Sequence, residues 1–328
     1  MTNCIVTGGA GYVGSHCCKE LAKAGYTPVT VDNLFRGHRE LVKWGPFCEC
    51  DVLDTERFAA IFEEYRPEAV FHFAGLTYVG ESVEHPEDYY RVNTAGTLSL
   101  LSAMMRGGCD KIIFSSTAAT YGNPLYTPID EKHPQSPINP YGASKLFIER
   151  MMEDFSAAHG IKFAALRYFN ASGADPECET GELHDPETHL IPLIIFAALG
   201  RRADIKIFGR DYDTPDGTAV RDYVHVTDLA SAHLKALEKL KSDGKNLKLN
   251  LGTGSGYSVL EVIKSVERVS GKKVPAHDAP RRAGDPPVLV ADSTAAQQTL
   301  DWRLKHSSID EIVETAIRWH EKQALECR

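Results

Sequence analysis

Three glycines spaced by two residues, Gly8, Gly11 and Gly14, stand in the run Thr7-Gly8-Gly9-Ala10-Gly11-Tyr12-Val13-Gly14, between an apolar stretch at 4–7 and a helical pattern at 13–24. Glycines at a strand-to-helix turn let the backbone reverse tightly and approach a pyrophosphate, which then sits on unpaired N–H groups at the helix start. An ordinary βα connection can look the same, so the meaning of the turn depends on the residues downstream. Asp32 lies 18 residues beyond Gly14, at the expected end of a second strand over 27–32. There its carboxylate can accept a hydrogen bond from an adenosine ribose hydroxyl. The same carboxylate repels a 2′-phosphate, which favours NAD over NADP. Arg36 is close enough to serve such a phosphate, although a solvated loop arginine is the simpler reading.

Strand patterns continue near 47–51, 69–73, 111–115 and 162–168, with helical patterns over 55–65, after His85-Pro86 and over 140–158. Pro140 falls in a first helical turn, where its missing N–H costs nothing. Strands alternating with helices through right-handed crossovers predict an α/β fold: a Rossmann-type doubly wound parallel sheet with helices on both faces. After about Asn170 the regularity fails, and the turn-rich stretch 173–186 introduces shorter elements. The expected division is a cofactor domain over 1–172 and a smaller C-terminal substrate-binding α/β region over 173–328, with the segment near 220–252 packing back on the first. No repeat or low-complexity tract is present.

With 328 residues and 43% hydrophobic content, the chain can bury one large or two modest cores. A net charge of -9 argues against nucleic acid or an anionic membrane as partner, since both need a basic field. No apolar run approaches the roughly 18 residues of a membrane span. The first residues lead into a strand rather than a signal peptide. Eight cysteines without a Cys-x-x-Cys pair and thirteen histidines without HExxH or His-x-His spacing argue against a metal site. Free thiols in a reducing cytosol, and hence a cytoplasmic location, are the corresponding expectation.

Tyr141 and Lys145 stand four residues apart on the 140–158 helix and so share one face. A tyrosine ionises near pH ~10. A nearby ammonium and a positive nicotinamide both favour phenolate, and a shift of ~3 units needs about 4 kcal/mol of differential interaction. Tyr-x-x-x-Lys alone is common among surface neighbours on amphipathic helices. Here it comes after a dinucleotide turn, and after Ser115-Ser116-Thr117 at a strand's C-terminal end, where such sheets hold substrate.

Through these residues and the motifs around them, the sequence resembles the extended short-chain dehydrogenases/reductases and, within them, the UDP-glucose (UDP-galactose) 4-epimerase family. The resemblance runs nearly end to end, through the glycine turn, His72-Phe73-Ala74-Gly75, Val79-Gly80-Glu81-Ser82, Phe114-Ser115-Ser116-Thr117, Tyr121-Gly122, Pro140-Tyr141-Gly142, Leu166-Arg167-Tyr168-Phe169-Asn170, Arg221-Asp222-Tyr223-Val224-His225-Val226 and Arg281-Arg282-Ala283-Gly284-Asp285. It implies Tyr141 as general base and acid on a sugar 4-hydroxyl, Lys145 on the nicotinamide ribose and depressing the tyrosine, and Thr117 bonding or relaying the same proton. It implies NAD held by Gly8, Gly11, Tyr12, Val13, Gly14, Asp32, Asn33, Asp51, Val52, Phe73, Ala74, Gly75, Asn93 and Phe169, together with Tyr141 and Lys145. It implies a UDP-sugar held by Asn170, His189, Leu190, Phe208, Arg221, Arg282 and Asp285, with Thr117 and Tyr141 at the sugar. Two arginines suit a diphosphate. The reaction implied is transient oxidation at C4 followed by reduction on the other face, in a homodimer formed through the helices at 86–107 and 140–158.

Blander roles stand beside these: Arg221 with Asp222 as a surface ion pair, Asn170 as a turn residue, Phe208 as core, Asn93 as a helix-starting residue. Thr77 and His189 replace the lysine and asparagine frequent in the family. Leu289, four residues after Asp285, takes the place of a large tyrosine or a smaller residue that gates the sugar, so hexose, pentose and N-acetylhexosamine all stay open; plain core is its other reading. Sugar dehydratases of the superfamily carry a carboxylate just after the position of Thr117. Ala118-Ala119 offers only methyl groups, which disfavours elimination. A one-way reductase and a non-catalytic NAD-binding regulator are the remaining rivals; the first needs exchangeable cofactor, and the second typically lacks the tyrosine or the lysine.

Overall fold

The computed structural model describes residues 2–282 and 285–326, so Ala283 and Gly284 of the 281–285 motif lie outside the described residues. The first half alternates strands β1 (Thr2–Thr7), β2 (Tyr26–Asp32), β3 (Phe47–Glu49), β4 (Ala69–His72), β5 (Lys111–Thr117) and β6 (Lys162–Tyr168) with helices α1 (Tyr12–Lys23), α2 (Thr55–Tyr65), α3 (Val79–Glu84), α4 (Pro86–Tyr89), α5 (Gly96–Gly107) and α6 (Pro140–His159). The expected helix after Pro86 is interrupted: between α4 and α5 the backbone widens into a π-helical turn, Tyr90–Ala95, which holds Asn93. Periodicity cannot reveal such a turn, because it inserts only one extra residue into an otherwise helical rod.

The second half contributes β7 (Asn170–Ser172), α7 (Leu190–Ala198), β8 (Ile205–Phe208), β9 (Val220–Arg221), β10 (Tyr223–His225), α8 (Val226–Asp243), β11 (Leu247–Leu251), β12 (Tyr257–Ser258), α9 (Val259–Ser270), β13 (Ala276–Ala279), β14 (Val288–Leu289), α10 (Thr294–Leu300) and α11 (Ile309–Glu326). The main sheet has seven strands in the order β3-β2-β1-β4-β5-β6-β11, every pair parallel. Its strands are apolar on both faces because both faces are covered. On β1, Ile5 packs with Val29, Phe58, Phe62 and Leu100 under α2 and α5. Its neighbour Val6 packs with Leu21, Leu166, Leu229 and Leu237 under α1 and α8. β11 completes the sheet beside β6.

A separate core of Ile191, Ile194, Ile207, Val262, Val266 and Val313 joins α7, α9 and α11 to β8. Short pairings complete this half: β13 with β8, β12-β9-β14, and β10 with β7. Strand order reverses between β1 and β4, and the crevice beyond the carboxyl ends of two such strands is where open α/β sheets bind ligands. Here the Phe73 N–H reaches the Thr7 carbonyl at 2.9 Å, which brings the β4 exit against the glycine turn. No described helix is long and apolar enough to cross a membrane.

Candidate active site

The glycine turn is packed too tightly for any other residue at two of its positions. Gly8 has φ +70°, and a Cβ there would lie 2.6 Å from the Ala74 nitrogen; a Cβ on Gly14 would lie 2.2 Å from the Gly8 carbonyl oxygen. Gly11 caps α1 without any side-chain bond, so the first N–H groups of the helix are left for an anion. Asp32 is 8% exposed at the end of β2, and it accepts hydrogen bonds from Ala10 N (3.1 Å) and Leu34 N (2.9 Å). Burial pushes its carboxyl up, while these two N–H groups and His38 pull it down. Asn33 Nδ2 donates to Asp51 at 2.9 Å, beside buried Val52. Arg36 donates to Glu81 at 2.7 Å and lies across the Tyr78 ring.

Several of the expected cofactor residues are anchored by contacts within the chain. The Tyr12 hydroxyl donates to the Gly173 carbonyl at 2.5 Å, and the half-buried Phe73 ring packs on His233. Asn93 is fully buried, its side chain bonded to both backbone groups of Leu76 and to Ser144. Val13, Ala74, Gly75 and Phe169 are each half-buried.

α6 starts at Pro140, capped by the Asn139 side chain accepting from Gly142 N at 2.8 Å. One turn in, Lys145 is 2% exposed, with its ammonium on the Ser115 carbonyl at 3.0 Å and 4.8 Å from the Phe114 ring centre. Burial alone lowers this lysine to about 8. Tyr141 is half-buried; burial raises its phenol, and a hydrogen bond with Thr117 pulls it back down. Thr117 Oγ1 accepts the Ala119 N–H at 3.1 Å, which leaves its own proton for the phenol oxygen. The Lys145 ammonium donates to the Ser115 carbonyl, which fixes its place one helical turn from Tyr141 and leaves its positive charge intact. Ser115 also meets the Tyr168 hydroxyl at 2.6 Å, a contact the spacing of motifs did not reveal. Behind this pair, Glu149 and Arg167 form a buried ion pair at 2.6 Å, joined by Ser116 and Tyr121, which ties α6 to β5 and β6.

In the second half of the chain, Leu289 on β14 stands in register with Arg221 on β9. Arg221 pairs with Asp285, not with Asp222. Asp222 is buried and accepts from Thr253, Gly254 N and Ala291 N, so the surface ion pair envisaged for it does not exist. Asn170 Nδ2 donates to the Asp222 carbonyl at 2.8 Å, which places it beside the same pair of strands. Arg282 is exposed and lies over the Phe208 ring, 4.1 Å from its centre. An open cleft of about 610 Å³ runs along Leu125, Tyr126, Arg282, Asp285 and Val288.

His189 is the N-cap of α7, next to Leu190, with Nδ1 2.8 Å from Glu182 and 2.9 Å from Glu187. Against burial, which lowers it, these carboxylates raise the imidazole to about 10 and keep it charged at neutral pH. His184 Nδ1 shares Glu182 at 2.7 Å. Although the histidines look scattered in the sequence, the spacing Glu182-x-His184-x-x-Glu187-x-His189 gathers four donor atoms within 4.8 Å of one another. Such a set could ligate a metal, but here its atoms are spent on each other. The Glu-x-His-x-x-Glu-x-His pattern was the signal that reading for HExxH or His-x-His missed.

A sheet with this strand order, a glycine turn, a buried acid ending β2 and a Tyr/Lys pair beside a strand-end threonine define a dinucleotide-dependent enzyme of the short-chain dehydrogenase/reductase class. The sequence pattern of the NAD dependent epimerase/dehydratase family matches residues 4–252, and the chain belongs to that family. It is 48% identical to the UDP-glucose 4-epimerase of Rhizobium meliloti (strain 1021), over 98% of each chain. It also resembles the crystal structure of UDP-glucose 4-epimerase from Brucella ovis in complex with NAD, with 52% identity, TM-score 0.95, and 97% of this chain and 98% of that one covered. The enzyme from Stenotrophomonas maltophila, with bound NAD and formylated UDP-arabinopyranose, superposes with TM-score 0.96 at 39% identity, covering 99% and 100%.

Proposed function

We propose that this chain is an NAD-dependent UDP-sugar 4-epimerase whose main reaction interconverts UDP-glucose and UDP-galactose. The observation that carries it is Tyr141, one helical turn from buried Lys145 and with the Thr117 hydroxyl at the end of β5 lowering its phenol, in a chain whose first strand ends in a tightly packed glycine turn. Gly8, Gly11 and Gly14 would admit the pyrophosphate, Asp32 the adenosine ribose, and Lys145 the nicotinamide ribose. Bound NAD⁺ would supply the hydride acceptor and donor, and a positive charge near the phenol. Tyr141 takes the proton of the sugar 4-hydroxyl as the C4 hydrogen leaves with its electron pair, and Thr117 steadies the phenolate. The resulting 4-keto sugar would turn about its bond to the diphosphate, take the hydride at C4 on its other face and recover the proton from Tyr141 at its oxygen.

Arg221, Arg282 and the charged His189 hold the diphosphate, with Asn170 and Phe208 at the nucleotide and Asp285 aligning Arg221 through their ion pair. Leu289 borders the sugar. The pentose carried by the Stenotrophomonas enzyme favours a second reading, a UDP-xylose/UDP-arabinose 4-epimerase. In this reading residues 1–172 form the cofactor domain and 173–328 the nucleotide-sugar region, with 220–252 serving the former. Exposed Tyr90, Leu98, Met105 and Phe147 on α6 and the π-turn–α5 rod support a homodimer through those helices. The seven described cysteines are all free thiols, which fits a cytoplasmic protein. The test is to incubate purified protein with UDP-glucose, UDP-xylose and UDP-N-acetylglucosamine separately, without added NAD. UDP-galactose from the first, resolved by chromatography, is the expected product; no epimer from any of them overturns the proposal.

A further inference from the structure

Beneath the cofactor loop runs a chain of hydrogen bonds that none of the residues assigned to the reaction explains. Thr7, His72, Thr97, Asn93 and Ser144 are all fully buried, and they come from β1, β4, α5, the π-turn and α6 respectively. The Thr97 hydroxyl donates to the Asn93 carbonyl at 2.6 Å, which uses its only proton. His72 Nε2, 2.8 Å from that hydroxyl oxygen, must therefore carry a hydrogen and donate it. Burial, helped by the positive Lys145, lowers His72 to about 3, so the imidazole is neutral and Nδ1 is an acceptor. The Thr7 hydroxyl, 2.7 Å away, donates to it. Thr7 Oγ1 is then free to accept the Ala74 N–H, at 3.4 Å. From Asn93 the chain continues through the side chain: Nδ2 donates to the Leu76 carbonyl and to Ser144 Oγ, both at 3.0 Å, and Oδ1 accepts from Leu76 N at 2.8 Å. The Ser144 hydroxyl ends on the Tyr141 carbonyl at 2.8 Å.

The protons run one way from the Thr7 hydroxyl through His72 and Thr97 to the Asn93 carbonyl. The Ala74 N–H is shared between the Thr7 carbonyl at 3.1 Å and its hydroxyl at 3.4 Å, and the Asn93 side chain carries the network on to Ser144 and the Tyr141 carbonyl. This network ties the residue before the glycine turn, the 74–76 loop and the first turn of the catalytic helix into one unit. Gly75 sits in the middle, backed by the Asn93 side chain and the Lys145 ammonium. We propose that His72 is a positioning residue for the 4-epimerase reaction, fixing the 74–76 cofactor loop relative to Tyr141 and Lys145 through its hydrogen bonds to Thr7 and Thr97. The proposal rests on the epimerase function for its kinetic consequence, but not for its effect on cofactor retention. A cofactor that must stay bound through many turnovers needs its loop held at a constant distance from the proton-transferring phenol, and misplacement by about 1 Å can cost a hundredfold in rate.

The decisive variant is Thr97→Val, which keeps the shape and removes the hydroxyl that orients His72, with Thr97→Ser as the rescue. In Thr97→Val we expect kcat to fall roughly tenfold to a hundredfold with KM for UDP-glucose within about twofold of wild type. Bound NAD should be lost on gel filtration, and Thr97→Ser should restore both. Two-dimensional ¹⁵N–¹H correlation of histidine-labelled wild-type protein should show His72 as the neutral Nε2–H tautomer, a measurement that stands even where a variant fails to fold. Full NAD retention and wild-type kcat in Thr97→Val, an equal loss in Thr97→Ser, or an Nδ1–H or charged His72 would each overturn the proposal. Gel filtration involves no sugar, so release of NAD tests the chain even if the protein epimerises none of the UDP-sugars.

Discussion

The two halves of the proposed site, one for cofactor and one for nucleotide-sugar, are built on different terms. On the cofactor side, Asp32, Asn93, Lys145 and His72 are buried and already bonded to the chain, along a sheet whose strands pair in one long parallel register. On the nucleotide-sugar side, Arg282 and His189 are exposed, Arg221 and Asp285 are half-buried, and the supporting strands β9 and β14 are two residues each. The lesson is that pre-organisation tracks residence time. A cofactor retained through the cycle can be met by a surface fixed in advance, whereas a substrate that enters and leaves each turnover is met by side chains whose present partners a diphosphate can compete for.

The largest effect that would sharpen this contrast is expected at Tyr141. Tyr141→Phe should lower kcat by about 10²- to 10⁴-fold while bound NAD and the melting temperature stay unchanged, because the ring remains and only the proton carrier goes. Activity within a few-fold of wild type would end the proposed mechanism. Gly14→Ala should strike the fixed side directly: its Cβ would meet the Gly8 carbonyl at 2.2 Å, at an expected cost of about 1–3 kcal/mol in urea unfolding together with loss of NAD. A stable, NAD-loaded Gly14→Ala protein would show the turn to be more pliable than its packing indicates.

Arg221→Ala should act on the other side alone. Loss of a charged hydrogen bond, worth about 1.5–3 kcal/mol, should raise KM for the UDP-sugar roughly tenfold to a hundredfold and leave NAD in place. Loss of NAD with an unchanged KM would reverse the assignment of the two sides.

The smallest effect per group is one of pH. His16 and His233 are lowered to about 4, and His72 to about 3, by burial, whereas an unfolded histidine titrates near ~6.5. Their folded values are depressed, so the unfolded chain binds more protons below ~6.5. The stability these neutral imidazoles confer is complete above that pH and declines as the pH falls toward their folded values. Moving from pH 7.5 to 5.5 should therefore cost about 1 kcal/mol for each of the three in urea unfolding. His189, raised to about 10 by Glu182 and Glu187, works in the opposite sense over the same interval: its contribution grows as the pH falls through ~6.5 and offsets about one of the three losses. Urea midpoints that coincide at the two pH values would contradict the picture of neutral buried histidines.

Much of the cofactor side was legible in the sequence because its determinants are local. Gly8 to Gly14 lie between adjacent elements, Asp32 ends the next strand, and Tyr141 and Lys145 share one helical turn. What escaped was set by tertiary geometry. The π-turn around Asn93 leaves no mark in a hydrophobic period. The partner of Arg221 is Asp285, 64 residues on in sequence, instead of its neighbour Asp222. The Glu182–His184–Glu187–His189 cluster forms only when a turn-rich loop folds back on itself, and the Ser115 carbonyl that holds the Lys145 ammonium lies 30 residues away in sequence.

The central claim is that hydride leaves C4 and returns to it without leaving the protein. UDP-glucose deuterated at C4, incubated with purified protein in ordinary water and no added NAD, should yield UDP-galactose that keeps its deuterium at C4, as read by mass spectrometry and NMR. Product carrying solvent hydrogen at C4, or turnover that starts only when NAD is added, would contradict it.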